Sequence, residues 1–331
     1  MKIIADAFGG DNAPDSVIVG ACRAKSLYGV DIALVGKSDV IRKRAEEISQ
    51  DITDMEIIEA EEIFDMHDDP KSIIKEKSNT SMAVGLKALA DGCGDGFISA
   101  GSTGALVMGS TFIVKRIKGI KRTAFGSPIP SLDGGFSFLM DEGANVQCRP
   151  EMILQFAIMA TAYVESVLGK KNPTVGLLNV GTEDTKGGEL QLEAYQLLKN
   201  SDLNFIGNVE SRDLLFGKCD ILVTDGFSGN IALKTAEGAV SAILKLLKET
   251  LSSGLSAKIG ALFLLPKLKQ LKNKLDYKSI GAAPIIGAKK PVYKAHGNSD
   301  ADAFCNAIGS LISSIEGDVI GKIEKALGDN K

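Results

Sequence analysis

The stretch Asp220-Ile-Leu-Val-Thr-Asp-Gly-Phe-Ser-Gly-Asn-Ile-Ala-Leu-Lys-Thr-Ala-Glu-Gly238 holds a strand, a loop and the start of a helix in direct succession. Its apolar run Ile221 to Val223 is short and β-branched at both ends, as expected of a strand buried on both faces. Small and polar residues follow, and from Gly229 to Leu251 the apolar positions recur at helical spacing. The same alternation extends in both directions. Candidate strands are IIADAF, IALVG, MEIIEA, GFISAG, FSFLMD, VGLLNVG, NFIGNV, DILVTDG and PVYKAHG, with helical stretches at Ser78 to Leu89, Glu151 to Leu168 and Glu189 to Leu198. This rhythm predicts an α/β fold, a largely parallel sheet covered by helices on both faces. The chain reads as one continuous domain over residues 1–331. A Leu- and Lys-rich helical excursion at 252–279 interrupts the rhythm.

The 331 residues are 44% hydrophobic and 24% charged, enough for one large core or two modest ones. A formal net charge of −4 gives no general pull toward nucleic acid, so any basic contact surface must be local. The cysteines at 22, 93, 148, 219 and 305 are scattered, without metal-ligand spacing, and read as small core residues. The opening Lys2-Ile-Ile-Ala-Asp6 reads as a strand rather than a signal peptide, and with unpaired cysteines it points to a reducing cytoplasm. No apolar run reaches the roughly 18 residues of a membrane span.

Ligands of parallel sheets bind beyond the carboxyl ends of strands. Four loops there are rich in Gly, Ser, Thr and Asn. They contain Asp6, Gly9 and Gly10; Gly101, Ser102, Thr103 and Gly104; Asp184, Thr185 and Lys186; and Asp225, Ser228, Gly229 and Asn230. Such loops can hold an anion on backbone N–H groups, because glycine permits close approach and a helix start favours negative charge. Any one of them could equally be turn and capping chemistry. Four on one sheet favour a shared polar pocket. None matches the dinucleotide or Walker fingerprints.

Lys186 could hold a phosphate or an oxyanion, or be a solvated loop lysine. The Asn230 amide could donate to a substrate oxygen, or the residue could cap the helix. His296 follows a strand and is open to an acid-base, phosphate-binding or purely structural role. Neither G-x-S-x-G nor a Cys-His arrangement is present, so direct attack by a bound second substrate is expected rather than an acyl-enzyme. No acidic cluster calls for a metal, and no cofactor is expected.

Several separate blocks carry a resemblance. They are DAFGGDNAPD (6–15), NTSMAVGLKAL (79–89), ISAGSTGALV (98–107), GLLNVGTEDTKGG (176–188), DILVTDGFSGNIALKTAEG (220–238) and KAHGNSDADAF (294–304). Over nearly its whole length the chain resembles the PlsX family of phosphate acyltransferases of bacterial phospholipid synthesis. The resemblance implies a three-layer αβα sandwich like that of phosphotransacetylases and isopropylmalate dehydrogenases. It also implies a homodimer, with acyl carrier protein and inorganic phosphate as substrates, and Lys186 and Asn230 as catalytic candidates. Phe8, Gln147 and Ala282 depart from the family's usual residues, away from these positions.

Acyl carrier proteins are acidic, and Lys115, Arg116, Lys118, Lys121 and Arg122 offer a basic docking patch at the end of the helix following the S-T-G loop. A solvated helix end is the bland alternative. The excursion from Leu255 to Leu275 carries five lysines and no acid, with an apolar tip that includes Leu262, Phe263, Leu264 and Leu265. It could lie on an anionic bilayer or cover a subunit interface. The family resemblance favours peripheral membrane contact, with a downstream glycerol-3-phosphate acyltransferase as a further partner. Rival readings are a phosphotransacetylase-like enzyme using coenzyme A thioesters, a metal- and NAD-dependent dehydrogenase, and a scaffold that only recruits carrier protein.

Overall fold

The computed structural model describes residues 1–254 and 282–329, together with Ala261, Leu264 and Lys267. It is a mixed α/β structure with mostly parallel strands, as the alternation of apolar runs and helical periods predicts. Where the sequence favours one continuous body, the internal contacts gather into two compact units. Unit 1 comprises Met1–Ser127, Ile158–Asn172 and Ile280–Lys331, and unit 2 comprises Pro128–Ala157 and Pro173–Ser279.

Unit 1 is built on β1 (Lys2–Asp6), β2 (Asp31–Gly36), β3 (Glu56–Glu59), β4 (Gly96–Ser99), the first half of β5 (Ala124–Pro130), β10 (Ala282–Ile286) and β11 (Val292–Ala295). Their order is β3-β2-β1-β4-β11-β10-β5, parallel from β3 to β11, with β10 antiparallel to both neighbours. Ile3, Ile4, Leu34, Phe97, Ile98 and Val292 are buried completely or nearly so, which is why these strands read as unbroken apolar runs. Each large apolar side chain so buried contributes about 1.5–3 kcal/mol. Helices α1 (Asp15–Tyr28), α2 (Ser38–Glu47), α3 (Ser81–Ala90), α4 (Thr103–Gly109), α8 (Ala301–Glu316) and α9 (Val319–Asp329) belong to this unit. The Asp300 side chain caps α8 by accepting from the Ala303 N–H at 2.8 Å, and α8 packs against α1.

Unit 2 holds β6 (Phe136–Met140), β7 (Val175–Asn179), β8 (Phe205–Glu210) and β9 (Ile221–Val223) in the order β6-β9-β7-β8, all parallel. Helices α6 (Glu189–Lys199) and α7 (Gly226–Ser252) belong to it, while α5 (Pro150–Val167) is shared along its length between the units. Leu139, Leu178, Val209, Cys219 and Leu222 form its core, against which Ala232, Leu233 and Ala236 of α7 pack.

Two strands, β5 and β10, are absent from the sequence expectation. Pro128 and Pro130 in β5 and Pro284 in β10 argue against strands by residue type, since proline cannot donate to a ladder. The cysteines are free, but their placement corrects the reading of all five as core residues. Cys219 and Cys305 are buried, Cys22 and Cys148 are half-buried, and Cys93 is exposed. Among the described residues no helix is long and apolar enough to cross a membrane.

Candidate functional site

In unit 2, β9 lies between β6 and β7, with Met140 and Leu177 each in register with Val223. Parallel strands about 4.8 Å apart therefore deliver three loops side by side to one edge: 141–145 after β6, 224–225 after β9 and 180–188 after β7.

The loop after β7 carries Lys186 with Asp184 and Thr185, all exposed. It is folded by its backbone. The Lys186 N–H donates to the Glu183 carbonyl at 3.1 Å, and the Asn179 amide donates to the Lys186 carbonyl at 3.0 Å. The Asn208 amide of β8 donates to the Glu183 carbonyl at 2.7 Å. Lys186 Nζ sits 3.8 Å from Glu183 Oε1 with about half of the side chain exposed, a loose pair that leaves the cation available to an anion.

The loop after β9 enters α7 earlier than the sequence predicts. The helix begins at Gly226 rather than Gly229, because Asp225 caps it: Oδ1 accepts from the Ser228 N–H and Oδ2 from the Ser228 hydroxyl, both at 2.9 Å. Asn230 is therefore not the cap. It stands within the helix, with its amide nitrogen donating to the Glu142 carbonyl at 2.8 Å. A carbonyl can only accept, so the nitrogen must face it. One N–H of the amide is held and the second is directed elsewhere. Gly229 is buried beneath this contact, and Ser228 is half-buried.

In unit 1 the ends of β1, β4 and β11 bring together Asp6, Ser99 and Lys294, of which Ser99 and Lys294 are in register. Asp6 is fully buried and accepts from the Ser99 hydroxyl at 2.7 Å and the Phe8 N–H at 3.2 Å. Burial raises its carboxyl pKa, against these hydrogen bonds and the charge of Lys294. Lys294 is buried, and its ammonium donates to the carbonyls of Ala100 at 2.9 Å and Ala295 at 2.6 Å. Burial pushes its pKa down to about 8, although Asp11 and Asp6 favour the charge. Gly9 and Gly10 lie in the loop after β1, and at Gly9 a Cβ would fall 2.6 Å from the Ser99 hydroxyl. Gly101 donates its N–H to the Ser99 hydroxyl at 3.0 Å, Ser102 caps α4, and Thr103 and Gly104 open that helix. His296 is exposed just past β11, and its Nδ1 accepts from the Asn298 N–H at a long 3.5 Å.

The basic run starts at Lys115, directly after the helical turn Ser110–Val114 that continues α4. Lys115, Lys118, Lys121 and Arg122 are exposed, and the Arg116 guanidinium donates to the Lys121 carbonyl. Of the apolar tip, Leu264 is helical and 48% exposed, whereas Leu262, Phe263 and Leu265 lie outside the described residues. Sequence reasoning missed Ser99, Lys294, Asp141 and Glu142. The available signal was position: each lies within two residues of the end of a strand.

A family model described as fatty acid synthesis protein matches residues 1–322. A phosphate acyltransferase of Bacillus licheniformis is 46% identical over 328 residues, covering 99% of this chain and 98% of the relative. One from Caldicellulosiruptor saccharolyticus is 46% identical over 329 residues, with the same coverage of 99% and 98%. Among solved structures, a phosphotransacetylase from Streptococcus pyogenes superposes with a TM-score of 0.64 at 18% identity, covering 96% of this chain and 94% of that one. At that identity the likeness shows the fold.

Proposed function

The chain belongs to the phosphate acyltransferase family, and from that premise we propose that it moves a long-chain acyl group from acyl carrier protein to inorganic phosphate, giving acyl phosphate for phospholipid synthesis. The supporting observation is that the adjacent ends of β7 and β9 carry a loosely paired cation, Lys186, and an oriented amide donor, Asn230.

Phosphate binds with Lys186 and loop N–H groups beside the thioester carbonyl, and this proximity supplies much of the rate. A phosphate oxygen attacks the carbonyl carbon and forms the new C–O bond. The oxyanion accepts from the second N–H of Asn230. Collapse of the tetrahedral species breaks the C–S bond, and the phosphopantetheine thiolate leaves to be protonated by solvent. Asp225 and Ser228 satisfy each other and shape the turn that presents Asn230.

The exposed cations of 115–122 are assigned to docking the acidic carrier. The 252–279 segment is assigned to peripheral contact with an anionic membrane, near the acyltransferase that consumes the product, in a homodimer. Loss of vesicle flotation in Leu264→Glu tests the membrane assignment, and undiminished flotation refutes it.

The decisive assay mixes purified protein with phosphate and either an acyl carrier thioester or the matching coenzyme A thioester, trapping acyl phosphate with hydroxylamine. Hydroxamate from the carrier thioester in preference to the coenzyme A thioester is expected. The reverse preference would make the protein a phosphotransacetylase, and no hydroxamate from either would leave only a scaffold role.

A further inference from the structure

The loop after β6 is organised around one carboxylate. Asp141 is fully buried. Its Oδ1 accepts from the N–H groups of Gly143 at 3.2 Å and Ala144 at 3.0 Å. Its Oδ2 accepts from the Asn145 N–H at 2.7 Å and the Asn145 amide at 2.8 Å. A buried carboxylate without donors is expensive, and here four donors from one short segment compensate it, so the segment and the charge fix each other.

That loop is then locked onto the start of α7. The Asp141 N–H donates to the Thr224 carbonyl at 3.1 Å, and the Gly226 N–H donates to the Asn145 carbonyl at 2.8 Å. A Cβ on Gly226 would lie 2.8 Å from the Asn145 carbonyl oxygen and 3.0 Å from Asp141 Oδ2. The backbones are therefore in contact, with no room for a side chain between them. Glu142, inside the loop, presents the carbonyl that accepts from Asn230 at 2.8 Å. Gly143 follows at φ 134°, a conformation an L side chain rarely adopts, and a Cβ there would sit 3.0 Å from the Asn230 amide nitrogen.

We infer that Asp141 is a positioning residue for acyl transfer: by folding 141–145 into one turn it holds the Glu142 carbonyl against Asn230, so that the amide's second N–H meets the developing oxyanion. This rests on the reading of Asn230 as oxyanion donor. The loop makes its effect through orientation of a group needed in the transition state, so it is felt in kcat rather than in the KM for phosphate.

The test is a double-mutant cycle on the full-length protein, with kcat and KM measured by hydroxamate trapping for wild type, Asp141→Asn, Asn230→Ala and the double variant. Asp141→Asn keeps the volume but replaces one acceptor oxygen by a donor, and is expected to lower kcat by about tenfold or more with little change in KM for phosphate. Combined with Asn230→Ala, it is expected to lower kcat by no more than about twofold beyond Asn230→Ala alone. Equal losses in both backgrounds, or an unchanged kcat in the single variant, overturn the inference while leaving Asn230 catalytic. Wild-type turnover in Asn230→Ala overturns both. If circular dichroism shows that Asp141→Asn does not fold, Asn145→Ala takes its place in the cycle under the same criteria, because it removes one side-chain donor from the Asp141 carboxylate and keeps the three backbone ones.

Discussion

The Lys294 ammonium donates to the Ala100 carbonyl at 2.9 Å, so a charge buried at the end of β11 holds the loop that follows β4. The arrangement has a stability cost that depends on pH. Lys294 titrates at about 8 in the folded protein against 10.5 ordinarily, so between these values the unfolded chain binds the extra proton and stability rises with pH. At about 1.4 kcal/mol per pH unit the gain approaches about 3 kcal/mol across the window. Urea unfolding between pH 7.5 and 10 should show this rise in the wild type and a flatter profile in Lys294→Met. Parallel profiles in the two proteins would refute the assignment.

Lys186 and Asn230 are both exposed; the Lys186 pair with Glu183 is a loose surface contact, and the Asn230 side chain gives up one hydrogen bond, to the Glu142 carbonyl, on truncation. Lys186→Ala and Asn230→Ala should each lower kcat by about 100-fold or more, within the range found on removing an oxyanion donor. Circular dichroism should be unchanged. Near-normal turnover in either variant removes that residue from the chemistry.

The basic run 115–122 is a compact loop, tied by the Arg116 bond to the Lys121 carbonyl and by backbone bonds to 287 and 289. Arg116→Glu combined with Lys118→Glu should raise the KM for the carrier thioester several-fold at low ionic strength, and the difference should fade as salt screens exposed charge. The KM for phosphate should hardly move. Equal rises for both substrates would place the effect elsewhere than in docking.

How far the molecule was legible depended on what each residue type announces. Apolar runs such as Ile221 to Val223 state a buried strand, and all nine strands so identified are present. The strands containing Pro128, Pro130 and Pro284 were hidden by a residue that ordinarily marks strand ends. Gly226 read as loop because glycine is a poor helix former, whereas it opens α7 with its backbone against the loop after β6. Lys186 and Asn230 stood out because their loops are unusual in composition. Lys294 and Asp141 did not, because a lone lysine or aspartate is usually solvated, and their burial comes from neighbours distant in sequence.

Gly229 offers the sharpest check on the packing behind Asn230, since α7 contains its own control. A Cβ on Gly229 would lie 2.0 Å from the Asp141 carbonyl oxygen, a backbone atom pinned by the loop around it. Gly238, farther along the same helix, has nothing within 4 Å of the corresponding position. Alanine at 238 should therefore raise stability by about 0.5–1 kcal/mol, the ordinary helical preference for alanine over glycine. At 229 the same preference is overwhelmed by a forced backbone shift, and a net loss of about 2–3 kcal/mol is expected. Moving Asp141 also displaces the Glu142 carbonyl from Asn230, so Gly229→Ala should lose turnover while Gly238→Ala keeps it. Urea midpoints and hydroxamate rates on the two variants decide the matter. A Gly229→Ala protein as stable and active as Gly238→Ala would mean that the β6 loop and the start of α7 are not in contact as described.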